Sequence, residues 1–560
     1  MSSRRSPSRD GSWSRLAAYG TALLVTASFT AAATAAPLFE ETKLIASDGV
    51  SQDHFGRAVA VYGQTVVVGS SSDDGQGSAY VYARSRHGWE EAGKLTAFDG
   101  APDDLFGYAV AISGDTIVVG APLDDVNGEG SGSVYVFVRY GDSWVLQAKL
   151  TPSNPARGDN FGTSVALDHT TLVVGGPWRD PDPDVFGSAY VFARLGGSWI
   201  ETAALDVPAG APQGSNFGLA VAVAADTVVV TAAFEDEDGD VSGSAHVYSR
   251  TPSSWVESAE LVASDGTALD SFGWSVAIGR AGNLVVVGAP SDGDAGFGPQ
   301  SAYVFTRTSG VWREAAIVTA SDGDPVGYGD RFGATVAVAG EVVIVGAPLH
   351  DGNGPDSGLA YLFTRWGDSW FETAKYSAAD GTSDDTLGSS AAADGITVAL
   401  GAPGDDFNGT ASGSAYVVEL AERIGPPACT VTGTSGDDVL IGTPGSDVIC
   451  GRGGDDVIYG LAGNDVLRGG SGDDRIFGGE GSDIINGHSG NDYLIGGAHG
   501  DTIRGGRGDD VLRGRRGHDR LKGNMDNDTL WGGKGNDALY GGAGLDRCDG
   551  GLGENEMVGC

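Results

Sequence analysis

Aspartate recurs at every ninth residue through the C-terminal quarter of the chain. Asp438, Asp447, Asp456, Asp465, Asp474, Asp483, Asp492, Asp501, Asp510, Asp519, Asp528, Asp537 and Asp546 hold one register, and only the fourteenth copy departs from it, with Asn555. Leucine or isoleucine stands two positions after the acid in the first twelve copies, followed by Cys548 and Met557 in the last two. Chance does not supply so many acids in phase, and a disordered glycine-rich tail has no need of an aliphatic in fixed register. Residues 433 to 558 must therefore fold as a stack of like units that bury the aliphatic against one another. Glycine, 93 of 560 residues, lacks the every-third spacing of collagen and so marks frequent turns.

A longer period organises the rest. A Phe-Gly step recurs at Phe55-Gly56, Phe106-Gly107, Phe161-Gly162, Phe217-Gly218, Phe272-Gly273 and Phe332-Gly333, with Leu387-Gly388 a seventh copy, at spacings of 51 to 60 residues. Behind each step come a short apolar run, a second such as TIVVGAP (116–122), a third such as GSVYVFVR (132–139), and a tryptophan leading a fourth such as WVLQAKL (144–150). β-Branched and aromatic runs between turn residues, without a long 3.6-residue periodicity, predict strands. Seven four-stranded units predict an all-β fold with a seven-bladed β-propeller, because radial closure covers sheet edges that would otherwise pair with other chains. Trp89, Trp144, Trp199, Trp255, Trp312 and Trp370 open the fourth strand of six units, and the seventh lacks one. LFEETKLIASDG (38–49) matches WFETAKYSAADG (370–381), so the N-terminal segment is expected to complete the last blade.

The formal net charge of −41 argues against a nucleic-acid partner and for cations. Arg4, Arg5, Arg9 and Arg15, the apolar run LAAYGTALLVTASF and AAATAA before Pro37 read as a cleaved export signal over residues 1–36. No later run approaches the ~20 apolar residues of a membrane span. The chain is thus expected to be secreted, extracellular or associated with a cell surface. In that setting Cys429 is expected to pair with Cys450, and Cys548 with Cys560, although four cysteines permit other connectivities.

The seven in-phase Phe-Gly units, with Gly-Ala-Pro at residues 120–122, 288–290, 346–348 and 401–403, resemble the FG-GAP repeats of integrin α chains over residues 38–421. That resemblance implies calcium loops following the triplet. The positions concerned are Asp125 and Asn127, Asp236, Asp238 and Asp240, Asp351 and Asn353, and Asp406 and Asn408, with Asp180 and Asp182 a poorer match because prolines interrupt them. The nine-residue units resemble the calcium-binding G-G-x-G-x-D-x-U-x nonapeptide of the RTX family. In such repeats six glycine-rich residues turn and three form a strand, so two repeats make one coil of a parallel β-roll with the aliphatic inside. Seven coils follow, with Asp438, Asp456, Asp474, Asp492, Asp510, Asp528 and Asp546 along one edge and the other six acids along the opposite edge. Unit charges one strand spacing apart, ~4.8 Å, repel by about 3.5 kcal/mol at an effective dielectric of ~20 and by about 0.9 kcal/mol in water. Ca2+, which accepts six to eight oxygens, would relieve that repulsion and couple folding to binding. Arg513, Arg515, Arg516, Arg520 and Lys522 are expected to face solvent.

These readings divide the chain into a signal (1–36), a propeller (37–421), a linker (422–432) and a β-roll (433–560). No nucleophile elbow, zinc-binding helix or phosphate loop occurs, and His350 beside Asp351 is a lone loop histidine. The expected function is therefore that of a secreted, calcium-binding, non-enzymatic recognition or adhesion protein whose partner is a cell-surface protein or glycan. An exported hydrolase with a site on the propeller face and a structural component of a surface layer are the alternatives.

Overall fold

The computed structural model describes residues 39–178, 187–206, 215–234, 243–252, 254–265, 270–290, 300–322, 329–366, 369–420, 429–553 and 555–560. The expected export signal lies outside them, as do Asp180, Asp182, Asp236, Asp238 and Asp240. The chain divides into Met1–Leu38 and Phe39–Cys560, and the second unit holds both repeat arrays.

Strand β1 (Phe39–Leu44) is followed by the first blade, whose strands are β2 (Phe55–Tyr62), β3 (Thr65–Ser70), β4 (Ser78–Ser85) and β5 (Gly88–Leu95), paired in sequence order. Five further blades repeat that order. The seventh sheet is built from Ser390–Asp394, Thr397–Ala402 and Ser414–Leu420, and its outer strand is β1, antiparallel from Phe39 opposite Leu420 to Leu44 opposite Ala415. First strands of neighbouring blades touch all the way round, and the seventh touches the first. The ring is closed by the two ends of the array.

The Phe-Gly step holds adjacent blades together. Phe106 is fully buried and meets Tyr135 edge-on at 5.2 Å and Phe137 at 6.2 Å. Gly107 adopts φ +93°, and a Cβ there would lie 2.2 Å from the carbonyl oxygen of Ser78 in the preceding blade. Only glycine admits so close an approach of two backbones. The residue before each Phe or Leu of the step is also left-handed: His54, Leu105, Asn160, Asn216, Ser271, Arg331 and Thr386 have φ between 51° and 58°. Every blade thus enters its first strand through the same strained turn.

Beyond residue 428 the chain winds into two parallel sheets, one of eight strands and one of seven, that alternate along the sequence. The first strand, Val431–Thr432, falls inside the segment expected as linker and already pairs with Ile449 and Cys450. Between the sheets runs one column of side chains from Leu440 to Leu539, one leucine or isoleucine per repeat, nearly all with no exposure. The strands span six residues where three were expected, as in Val511–Arg516. Pairing runs over three residues, skips the glycine at the fourth and resumes for two, so the bend falls within the strand instead of ending it. Cys429–Cys450 and Cys548–Cys560 are disulfide-bonded at the two ends of the array.

Leu44 on the closing strand is 2% exposed and packs with Phe55 and Val417 across the junction. Leu44→Ala is expected to cost about 2–5 kcal/mol in denaturant unfolding, and removal of residues 37–48 to abolish the cooperative transition of the propeller. A truncated protein that melted like the intact one would refute the closure.

Candidate metal centre

The chemistry of the solenoid is set by what each aspartate does with its two oxygens. Asp510 is wholly buried, and its Oδ1 accepts the backbone N–H of Asp492 one coil earlier at 2.8 Å. Its own N–H donates to Oδ1 of Asp528 at 2.9 Å. The same bond recurs down both edges, so one oxygen of every acid from Asp456 onward ties two coils together. Asn555 continues the ladder, because an amide oxygen accepts the N–H of Asp537 equally well, at 2.8 Å.

The other oxygen is left over. Oδ2 of Asp456, Asp465, Asp474, Asp483, Asp492, Asp501, Asp510, Asp519, Asp528, Asp537 and Asp546 is buried and has no hydrogen-bond partner. It occupies the space over the glycine five residues earlier: a Cβ on Gly505 would lie 2.2 Å from Oδ2 of Asp510. Main-chain oxygen converges on the same place. At Gly451 the Cβ position lies 2.2 Å from Oδ2 of Asp456 and 2.5 Å from the carbonyl oxygen of Gly469 in the next coil. Two oxygens turned toward one point, one of them a carboxylate oxygen with no donor, make a poor protein interior and an arrangement that a cation would suit.

Asp438 and Asp447 share the register and not this chemistry. Oδ2 of Asp438 accepts the Thr434 N–H at 2.6 Å and its hydroxyl at 2.8 Å, and Oδ2 of Asp447 is met likewise by Thr443. From the third repeat on, the residue at the threonine's place is left-handed, as in Arg452, Leu461, Gly470 and Arg515. A β-branched residue disfavours positive φ. The first two turns therefore keep the amide aimed at the acid, whereas the later turns rotate it away.

Burial raises the carboxyls of the ladder, to about 6 for Asp465, Asp492 and Asp528, to about 7 for Asp474, Asp483 and Asp519, to about 8 for Asp510 and to about 9 for Asp501. No group of three His, Cys, Asp or Glu side chains that could hold a metal occurs among the described residues. A cation here would be held by single carboxylates and main-chain carbonyls, an all-oxygen set suited to Ca2+ and unsuited to softer metals.

The propeller positions behave otherwise. Asp125, Asp351 and Asp406 are exposed, and each accepts through Oδ1 a backbone N–H from its own loop, of Gly130, Asp356 and Ala411 respectively. Asn127, Asn353 and Asn408 lie on the same turns, and Asn353 donates to the Ala378 carbonyl. The buried acid of the blade 2 loop is the neighbour, Asp124, which accepts from Ser133 Oγ at 2.6 Å and Tyr135 OH at 2.9 Å and pairs with Lys149 at 2.6 Å. Lys149 also reaches Asp99, 2.7 Å away in the Asp-Gly turn between blades. Lys94 repeats this with Asp73 and Asp48, and Lys43 of the closing strand with Asp405 and Asp380. In blade 6 His350 replaces the loop acid, and Lys375 binds Asp322 alone of the two. These lysines went unread in the sequence, although Lys94, Lys149 and Lys375 each stand five residues after a blade tryptophan. Arg513 and Arg520 are half-buried and not simply solvent-facing; Arg520 reaches the Ala315 carbonyl of blade 5.

A closed seven-bladed ring followed by a parallel solenoid with an acidic ladder on each edge defines a two-part, all-β repeat protein. The chain belongs to the FG-GAP repeat family, which matches residues 38–82, 89–137, 144–192, 199–248, 255–305, 312–363 and 370–418. The RTX calcium-binding nonapeptide repeat matches residues 432–467, 459–494, 495–530 and 522–557. No curated protein matches the sequence. Similar solved structures include a candidate 6-phosphogluconolactonase from Bacteroides uniformis, 12% identical with a TM-score of 0.40, covering 58% of this chain and 86% of the other. The WD40 repeats of RRP9 are also 12% identical, with a TM-score of 0.43 and 68% and 98% covered.

A carboxyl raised in the folded state binds more protons there than in the unfolded chain, so it withdraws stability as pH rises from its ordinary value through its folded one. In chelator, the solenoid is expected to melt at higher temperature near pH 5 than near pH 8. Calcium should reverse that order, because deprotonation prepares the ligands. A metal-free melting temperature that rose between those two pH values would contradict this account.

Proposed function

We propose that this is a secreted, calcium-dependent recognition or adhesion protein without catalysis of its own, in which the propeller presents a platform and the β-roll becomes rigid on binding Ca2+. One observation carries the reading: eleven buried carboxylate oxygens, distributed along both edges from Asp456 to Asp546, have no hydrogen-bond partner in the chain. Burying an unpaired charge is costly, and a hard cation supplies the missing partner to each. The two disulfides and the match to RTX repeats agree with an extracellular setting, and no helix among the described residues is long and apolar enough to cross a membrane.

The hydrolase alternative has one constellation in its favour. Ser244 Oγ lies 3.0 Å from His246 Nε2, and His246 Nδ1 lies 2.8 Å from Glu257 Oε1. Ser244 and His246 are 2% and 1% exposed, so no substrate reaches the hydroxyl. Ser133 and Ser414, at the same strand position in other blades, bind the buried loop acids Asp124 and Asp405. His246 takes the place of the tyrosine found at Tyr135 and Tyr416, and the trio is read as a blade clamp.

Titration of the chelated full-length protein with calcium, followed by calorimetry and circular dichroism, tests the proposal. Strand signal and melting temperature of the roll should rise together, with about 2.7 kcal/mol gained per site at a hundredfold excess over Kd. Asp510→Asn separates charge from packing. It keeps the acceptor that Asn555 shows to be sufficient, so it should stabilise the metal-free roll by about 1–3 kcal/mol and weaken the calcium response. Identical melting with and without calcium would end the calcium reading.

A further inference from the structure

The outward face of the seven-stranded sheet carries an order that ion binding does not require. On five successive coils it presents two columns, Arg475, Tyr493, Val511, Thr529 and Arg547 in one and Phe477, Ile495, Arg513, Trp531 and Asp549 in the other. Taken together, each coil from Arg475 to Arg547 offers a cation or a ring. These residues stand first or third after the ladder aspartate, on the side opposite the buried Ile476, Leu494, Leu512 and Leu530. Arg475 is directly opposite Tyr493 across one strand step, Arg513 opposite Trp531 across another, and Thr529 brings Arg547 into line at the end. The guanidinium carbon of Arg513 lies 5.4 Å from the Tyr493 ring centre and 4.7 Å from that of Trp531. Its Nε is buried without a hydrogen-bond partner. Tyr459 and Phe477, stacked at 5.0 Å with planes 10° apart, extend the aromatic row toward the first coils.

Charge makes this face unusual. The chain has a formal net charge of −41, yet among the described residues no carboxylate pairs with Arg475, Arg513 or Arg547. Three arginines without a carboxylate partner are complementary to an anionic partner, although exposed Asp549, opposite Trp531, places one acid on the last coil of the same face. They recur on alternate coils, about 9.6 Å apart along the stack, a distance of the order of two linked pyranose rings. The aromatic side chains between them offer apolar surface to the uncharged ring. We propose that this face binds an extended anionic polysaccharide in which an acidic sugar alternates with a neutral one, each carboxylate or sulfate meeting an arginine.

Other occupants fit less well. A second copy docking face to face would oppose one arginine row to another. A nucleic acid would meet the field of the whole acidic chain. The turn acids Asp455, Asp473 and Asp509 border the face, each accepting an amide of the next coil through Oδ1 at 2.8–2.9 Å. They repel a polyanion until cations lie along the edge, so binding is tied to calcium. The inference rests on the recognition reading and moves one recognition surface from the propeller to the roll.

The test uses full-length protein in calcium with hyaluronan, whose disaccharide carries one carboxylate, as probe. Neutral dextran, a single-stranded oligonucleotide and phosphatidylglycerol vesicles serve as comparisons. Hyaluronan should bind in calcium and not in chelator. The triple variant R475Q/R513Q/R547Q should bind at least about tenfold more weakly, and W531A should also lose affinity, while both keep the wild-type calcium-induced melting shift. Equal binding of dextran, preference for oligonucleotide or vesicles, concentration-dependent dimerisation blocked by the triple variant, or hyaluronan binding indifferent to these substitutions would each overturn the proposal. If the roll responds to calcium and hyaluronan does not bind, this inference alone fails; if the roll does not respond, the calcium reading fails first.

Discussion

The solenoid depends on one divided carboxylate. Each aspartate after Asp447 gives Oδ1 to the amide of the coil before it and buries Oδ2 against a glycine with nothing to receive it. The first oxygen specifies the stacking of coils, since no other side-chain bond recurs so regularly down both edges. The second makes that stacking unfavourable for the bare protein, because desolvation and a like charge one strand away act together. The aliphatic column, one residue per repeat, is thin compensation. A core of one residue per repeat leaves little to set against that cost and against the entropy of ordering so many glycine-rich turns.

The propeller meets the same difficulty with its own atoms. Asp124, Asp73 and Asp405 are buried acids on loops, as exposed to desolvation as those of the ladder, and each has a lysine ammonium within 2.7 Å. Serine and tyrosine hydroxyls complete the set in blades 2 and 7. An internal cation and a bound cation are two answers to one electrostatic problem, and this chain uses the first where it closes the ring. Lys43, on the strand that completes the seventh blade, joins Asp405 to Asp380 and so adds charge pairing to a junction already made by backbone bonds.

Much of the architecture was legible because period determines topology. The Phe-Gly register gave seven blades and the match of residues 38–49 to 370–381 gave the closure, since a missing strand in a ring has only one place to come from. The aspartate register assigned each acid to its edge correctly. What period could not show was whether a given acid is satisfied. Asp438, Asp447 and Asp510 are alike in register, and they differ because Thr434 and Thr443 resist a left-handed turn that Arg515 and Gly506 accept. The propeller loops are less legible for a related reason: Asp125 and Asp406 stand in a ligand-like spacing on exposed turns, while their neighbours Asp124 and Asp405 are buried and paired with lysines that a search among acids alone passes over.

The threonine-closed turns give the roll a direction. In its opening coil the second carboxylate oxygens accept amides and hydroxyls of Thr434 and Thr443, and the Cys429–Cys450 bridge ties the turn. It can stand as a preformed template while the remainder is still unwound. Each later coil can then add to an ordered edge on its N-terminal side, so the first two repeats, closed by their own threonines and by Cys429–Cys450, are the part of the roll best able to order without help from outside the chain.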